Sequence, residues 1–166
     1  MSIVLYILAA LLALILVFLI IGLLLPQERT ETRQSTFKAS PQAVYEAVTD
    51  NVNYHYRTDL KEIIILESDG NIELWDEIDK RGNRIRFRTT LKQPYTRYEF
   101  DIVEGNAFTG HWIGEMEETE TGGTLFTATE IIRIRNPFIR LMSYLFMDIG
   151  KFMESYQGDL RKRLGE

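Results

Sequence analysis

The sequence predicts an α+β domain behind one N-terminal transmembrane helix, the domain being a strongly curved, seven-stranded antiparallel sheet around a long C-terminal helix. Three observations predict it. From Ile3 to Leu25 no residue is charged, and only Tyr6 and Gly22 interrupt an aliphatic or Phe run. From Lys61 to Arg135 the apolar pattern keeps a period of two, cut by short turn-forming strings. After Asn136-Pro137 the period becomes helical and continues to about Leu164.

The N-terminal run comes first. At about 1.5 Å per residue it spans roughly 34 Å, enough for a hydrocarbon core of about 30 Å. A cleavable signal peptide would need a basic n-region, a shorter apolar core and small residues at its end. Here Met1 and Ser2 precede the run and Leu23-Leu24-Leu25-Pro26 closes it. Residues 1–25 are therefore expected to be an uncleaved, single-pass anchor in the cell membrane, with a cleaved signal as the competing reading. Arg29, Arg33 and Lys38 flank only its C-terminal side. The positive-inside rule then places the domain, residues 26–166, on the cytoplasmic side.

Beyond Leu25 the composition is that of an ordinary soluble domain. All 19 Lys+Arg and 24 Asp+Glu lie there, for a net charge of −5. The acidic balance and the lack of a basic block argue against nucleic acid as a partner. The chain has no cysteine, which excludes disulfide scaffolds, thiol catalysis and Cys-ligated zinc.

Polar alternation over Arg29–Lys38, closed by Phe37, predicts the first strand. Ser40-Pro41 is a helix start, Ser capping free amides and Pro suiting the first helical position. Ala43, Val44, Ala47 and Val48 form that helix's apolar face, and Asp50-Asn51 ends it. Val52–Arg57 is a second short helix or turn. Strands follow at Lys61–Glu67, Ile72–Asp79, Arg84–Lys92, Tyr95–Val103, Phe108–Glu118 and Thr124–Arg135. They are separated by Asp69-Gly70-Asn71, Arg81-Gly82, Pro94, Gly105-Asn106 and Gly122-Gly123. Six short-looped strands in succession make a meander, and only the terminal helix is long enough to cover its concave face. That arrangement leaves a cavity between sheet and helix.

Several strings in this order resemble the helix-grip (SRPBCC) superfamily, which includes START domains, Bet v 1 and bacterial polyketide cyclase/dehydrase-like proteins. They are Leu25-Pro26-Gln27-Glu28, the stretch from Phe37-Lys38-Ala39-Ser40-Pro41 to Val48-Thr49-Asp50, Gly122-Gly123-Thr124 and Asn136-Pro137-Phe138. Leu145-Phe146-Met147-Asp148 is similar to a subgroup of membrane-anchored bacterial members. All are fold markers and none is a catalytic motif. Such proteins often carry a Trp-rich segment at the pocket mouth after the first helix. Here it reads Asn53-Tyr54-His55-Tyr56-Arg57, aromatic but more polar, and the resemblance makes Tyr54, His55 and Tyr56 rim residues.

On the apolar side of the sheet and helix the pattern places Tyr98, Phe100, Ile102, Phe108, Trp112, Phe126, Met142, Leu145, Ile149, Phe152 and Met153. They form either a pocket for a hydrophobic or lipid-like ligand or plain core. With Arg81-Gly82 as a two-residue hairpin loop, Asp76 faces Phe87 on this same side, Ile78 faces Ile85 and Leu74 faces Thr89. The other face then pairs Asp79 with Arg84 and Glu77 with Arg86, and sets Trp75 beside Arg88. The row Arg84, Arg86, Arg88 is either an anionic-headgroup site or a solvated, internally neutralised face.

Asp76 and Glu130 share inward parity. Either could be a buried carboxyl of raised pKa, or could pair with Arg97, His111 or a backbone amide. His55 and His111 lack a supporting metal-ligand pattern, and no hydrolase, P-loop or dinucleotide motif occurs. Neither a metal nor a cofactor is expected. The helix front Phe138–Phe146 is apolar nearly all round, with one side for the sheet and another for the bilayer, a partner or the second short helix.

Three function classes follow. The first is a membrane-held module binding a hydrophobic small molecule or lipid. The second is a polyketide cyclase-like enzyme with His55, Asp76, Glu130 and pocket tyrosines as acid–base groups. The third is an accessory subunit of a membrane-protein complex.

Overall fold

A computed structural model describes residues 2–105 and 107–166. Helix α1 (Ser2–Leu24) leads through three residues into β1 (Glu28–Phe37). Then come α2 (Pro41–Thr49), a 3₁₀ turn at Tyr54–Tyr56, and the strands β2 (Leu60–Ser68), β3 (Glu73–Asp79), β4 (Arg84–Gln93), β5 (Arg97–Glu104), β6 (Thr109–Glu118) and β7 (Thr124–Arg133). Helices α3 (Pro137–Phe146) and α4 (Ile149–Arg163) close the chain. The Gly105-Asn106 turn expected before β6 contains Asn106, which lies outside the described residues.

The seven strands form one antiparallel sheet in the order β1-β7-β6-β5-β4-β3-β2. The meander runs from β2 to β7, and β1 returns to pair with β7 from Glu28↔Arg133 to Phe37↔Thr124. Irregular pairing between Ile65 and Glu67 and between Thr89 and Leu91 bends the sheet. Helix α4 crosses the concave face and buries Ile149, Met153 and Leu160 there. Helix α2 starts where Ser40 and Pro41 put it, with the Ser40 hydroxyl accepting from the Ala43 amide. Its Val44, Tyr45, Ala47 and Val48 join the core.

Three expectations are corrected. The long terminal helix is two helices. Met147 is extended, and Asp148 caps α4 by accepting from the Lys151 amide. Apolar periodicity runs through this break because Phe138, Leu141 and Leu145 of α3 fall in phase with the buried residues of α4, although only Leu141 of the three is buried. The second correction is the β3 register. The loop after β3 is Lys80-Arg81-Gly82, with the Asp79 amide donating to Asn83 O and Gly82 at φ 88°. One extra loop residue slips the pairing by one, to Trp75↔Phe87, Asp76↔Arg86 and Ile78↔Arg84. A slip of one turns every β3 side chain to the opposite face. The third concerns α3, which packs against α1 rather than the second short helix, the 3₁₀ turn at Tyr54–Tyr56. A Cβ at Gly22 would lie 2.2 Å from the Pro137 carbonyl oxygen, so only glycine allows this approach.

Helix α1 is long and apolar enough, by length and composition, to cross a membrane. From Ile3 to Leu24 its residues are exposed except at Leu19 and Gly22, and Leu25, which ends the apolar run beyond the helix, is partly covered.

Candidate functional site

A cavity of about 600 Å³ lies between the sheet and α4, within the ~300–1,000 Å³ usual for small-molecule sites. Four strands place aromatic rings on its wall. Trp75 of β3 stacks on Phe87 of β4 (centroids 5.4 Å apart, planes 15°) and Phe100 of β5 stacks on Trp112 of β6 (4.9 Å, 8°). Phe87 meets Phe100 edge-on at 5.4 Å, so the two stacks join. From α4, Ile149, Phe152, Met153 and Tyr156 face this wall. Exposed Arg81, Asn83, Phe152 and Asp148, with Phe108, are also lining residues and mark the opening.

The polar part of the cavity centres on Arg57. Its guanidinium donates to both Glu77 carboxylate oxygens at 3.0 and 3.2 Å and lies over the Tyr156 ring at 5.0 Å. Trp75 Nε1 donates to Glu77 at 3.2 Å. Burial works against the charge on Arg57, but the Glu77 carboxylate overrides it and holds the guanidinium protonated. Arg57 Nε is buried and has no partner among the described residues. The segment is held by Asp159 of α4, which accepts from the Thr58 amide and hydroxyl, both at 2.7 Å.

Glu130 of β7 also lines the cavity, opposite Trp112 in the ladder. Burial pushes its carboxyl up to about 7, and nearby Glu77 adds to the effect while Arg57 opposes it. Among the described residues it makes no ion pair. It is thus a carboxyl that takes or releases a proton near neutrality, facing cavity space. Burial raises the phenols of Tyr156 and Tyr98 as well.

Ten of the residues expected on the pocket wall or rim are cavity-lining: Phe87, Tyr98, Phe100, Ile102, Phe108, Trp112, Glu130, Ile149, Phe152 and Met153. The other seven lie elsewhere. Asp76 is on the convex face, where Arg86 donates to both its oxygens at 2.8 and 3.1 Å and Arg84 lies 3.5 Å away. The hydrogen bonds from Arg86 hold its carboxyl below the ordinary range. With Glu104 on Arg86 at 3.1 Å, this face is largely neutralised from within. Phe126 is fully buried behind the wall, against Phe37 and Trp112. Met142 and Leu145 stand on α3, exposed, because the break at Met147 turns that helix away from the sheet.

The Tyr54 and His55 rings meet at 4.6 Å, tilted by 45°, outside the cavity. Tyr56 braces α2 against α4, donating to the Ala47 carbonyl at 3.3 Å beneath the Arg163 guanidinium. His111 sits between Asp101 (2.7 Å) and Glu99 (3.1 Å) on the outer face of β6. Arg97 pairs with Glu99 and Glu115. Arg57, Glu77 and Tyr156 were not singled out by the sequence. Correct β3 parity would have turned Glu77 inward, but nothing local signals that Arg57 reaches it.

No protein-family model and no curated protein sequence matches the chain. Solved structures do. An aromatase/cyclase from a Streptomyces species superposes with a TM-score of 0.72 at 12% identity, over 82% of this chain and 93% of that one. A START superfamily protein from Mycobacterium smegmatis gives 0.64 at 12%, over 81% and 95%. Norcoclaurine synthase from Thalictrum flavum gives 0.68 at 9%, over 84% and 87%. The similarity to START, Bet v 1-like and cyclase-like proteins therefore holds as a likeness of fold, the helix-grip α+β fold.

Proposed function

We propose that this protein is a membrane-anchored module that holds an amphipathic, lipid-like molecule between the sheet and α4. Residues 1–25 serve as the anchor, and residues 26–166, on the cytoplasmic side, as the binding domain. The observation that carries this reading is one cavity with two chemistries. Four stacked aromatic rings offer an apolar wall, and the Arg57–Glu77 pair and Glu130 offer donors and acceptors. A molecule with an apolar body and one polar group satisfies both, its polar group meeting the free Arg57 Nε or the Glu130 carboxyl. The solved neighbours of the same fold include an aromatase/cyclase and a START superfamily protein, which supports burial of an apolar ligand.

Native mass spectrometry of the full chain, purified in mild detergent, tests the reading. One lipid-like mass per chain, released by organic solvent, is the expected result. A bare chain that also fails to bind a fluorescent fatty-acid probe overturns it.

Glu130 favours a second reading, acid–base catalysis on the bound molecule, because a cavity carboxyl with a pKa of about 7 is matched to proton transfer at neutral pH. Here the mass of the retained molecule changes with time in the native chain and not in Glu130→Gln.

A further inference from the structure

Helix α3 is turned inside out. Its one charged residue, Arg140, is 2% exposed, and Leu141 and Ser143 are buried with it. Its outward residues are Phe138, Ile139, Met142, Tyr144, Leu145 and Phe146, the last two 60% and 81% exposed. A helix on a watered surface carries the opposite pattern, charge outward and apolar stripe inward.

The orientation is locked from both ends. The Arg140 guanidinium donates to the carbonyls of Ile134 (3.0 Å), Arg135 (2.8 Å), Gly22 (3.0 Å) and Leu25 (3.0 Å). Gly22 lies in the last turn of α1 and Leu25 directly follows it, where the final carbonyls lack helical partners. At the other end of α3, Arg29 of β1 donates to the Ser143 carbonyl at 2.9 Å and lies 4.6 Å from the Tyr144 ring centroid. Rotating α3 to hide its apolar face would strip a buried guanidinium of its acceptors.

We infer that bilayer lipid covers the outward face of α3, so that the helix lies at the headgroup–acyl boundary. The ground for choosing lipid is continuity: the face begins against Gly22, in the last turn of the apolar α1, and the exposed surface of one helix runs into that of the other. Tyr144 and Arg29 are the residue types that settle at such a boundary. Met147 and Asp148, directly after α3, line the cavity. The cavity rim on this side therefore stands beside lipid, and a ligand can pass between bilayer and cavity without crossing bulk water. This inference rests on the anchor reading above and adds the route by which the site is filled.

The chain has no cysteine, so single spin labels can be placed in the full chain in nanodiscs of phosphatidylcholine and phosphatidylglycerol. The sites are Leu145→Cys and Phe146→Cys on α3, Leu12→Cys in the anchor and Glu120→Cys in the exposed turn before β7. All four are exposed, so the fold tolerates the label. Collision with oxygen, which partitions into acyl chains, is compared with collision with a water-soluble nickel chelate. The expected oxygen-to-nickel ratio at 145 and 146 is several-fold above that at 120. A ratio at 145 and 146 equal to that at 120, while Leu12→Cys reads lipid, overturns the inference and leaves the anchor standing. Spin–spin broadening between Phe146→Cys copies with low oxygen access means a second copy covers the face, and overturns it too. A Leu12→Cys label in water rejects anchor and docking together. The mass-spectrometric test of ligand retention is independent of all four results.

Discussion

Glu130→Gln removes a cavity carboxyl that has no ion-pair partner among the described residues and whose proton affinity is raised by burial. In the folded chain its pKa is pushed from 4.5 up to about 7. At about 1.4 kcal/mol per pKa unit, the shift corresponds to roughly 3 kcal/mol. The sign follows from proton binding. Between the two values the folded chain holds the proton and the unfolded chain has released it, so stability is full below pH 4.5 and is lost as pH rises through 7. Gln keeps the shape and cannot ionise. Native chain and variant should therefore melt together at pH 4.5 and diverge above it. By pH 8 the variant should be more stable by up to about 3 kcal/mol, roughly 10 °C for a domain of this size. The assay is thermal unfolding of the full chain in detergent across pH 4–8.5. Parallel curves for the two proteins would refute the argument, because they would mean that Glu130 is solvated or paired in the folded state.

Glu77→Ala removes the two-oxygen partner of the buried Arg57 guanidinium, leaving it only Asp59 at 3.6 Å, and should cost about 3 kcal/mol in denaturant unfolding, whereas Arg57→Met with Glu77→Met should recover most of it. No recovery in the double variant would show that the pair is not the coupled unit. Gly114→Ala puts a Cβ 2.3 Å from the Trp112 ring and must displace it, with about 1–3 kcal/mol lost. A fluorescent fatty-acid probe should then bind more weakly while the far-UV spectrum is unchanged; unchanged binding would mean that Trp112 does not shape the site. Gly22→Leu forces α1 from Pro137, and amide exchange across residues 137–146 should rise several-fold with β5 to β7 unaffected. Unchanged exchange there would show that the α1–α3 joint carries no stability.

The strands and helix starts were legible because they are written locally. Ser40-Pro41 and Asn136-Pro137 announce caps, and alternation announces strands. The aromatic wall followed from parity in β4 to β6, which is why Phe87, Phe100 and Trp112 were found. Errors arose where one residue decides geometry. Whether the loop after Asp79 has two residues or three is set by Gly82 taking a left-handed conformation, and that choice moved Trp75 inward and Asp76 outward. The break at Met147–Asp148 was hidden for a related reason: an Asp inside an apolar period reads as a surface residue until its side chain is seen capping α4. Arg57, Glu77 and Tyr156 come from three elements, and a pairing between distant segments leaves no mark on local periodicity.

Only Leu25, Pro26 and Gln27 separate α1 from β1, and Arg140 clamps the end of α1 to the α3 junction. A domain joined in this way has no tether length to explore. With α1 in a bilayer, its cavity neither tumbles nor reaches into solution, and its search for ligand is lateral diffusion in a plane. Occupancy then answers to the surface density of the ligand in that leaflet. A water-soluble competitor, however abundant, would have to approach a site whose orientation is set by the membrane.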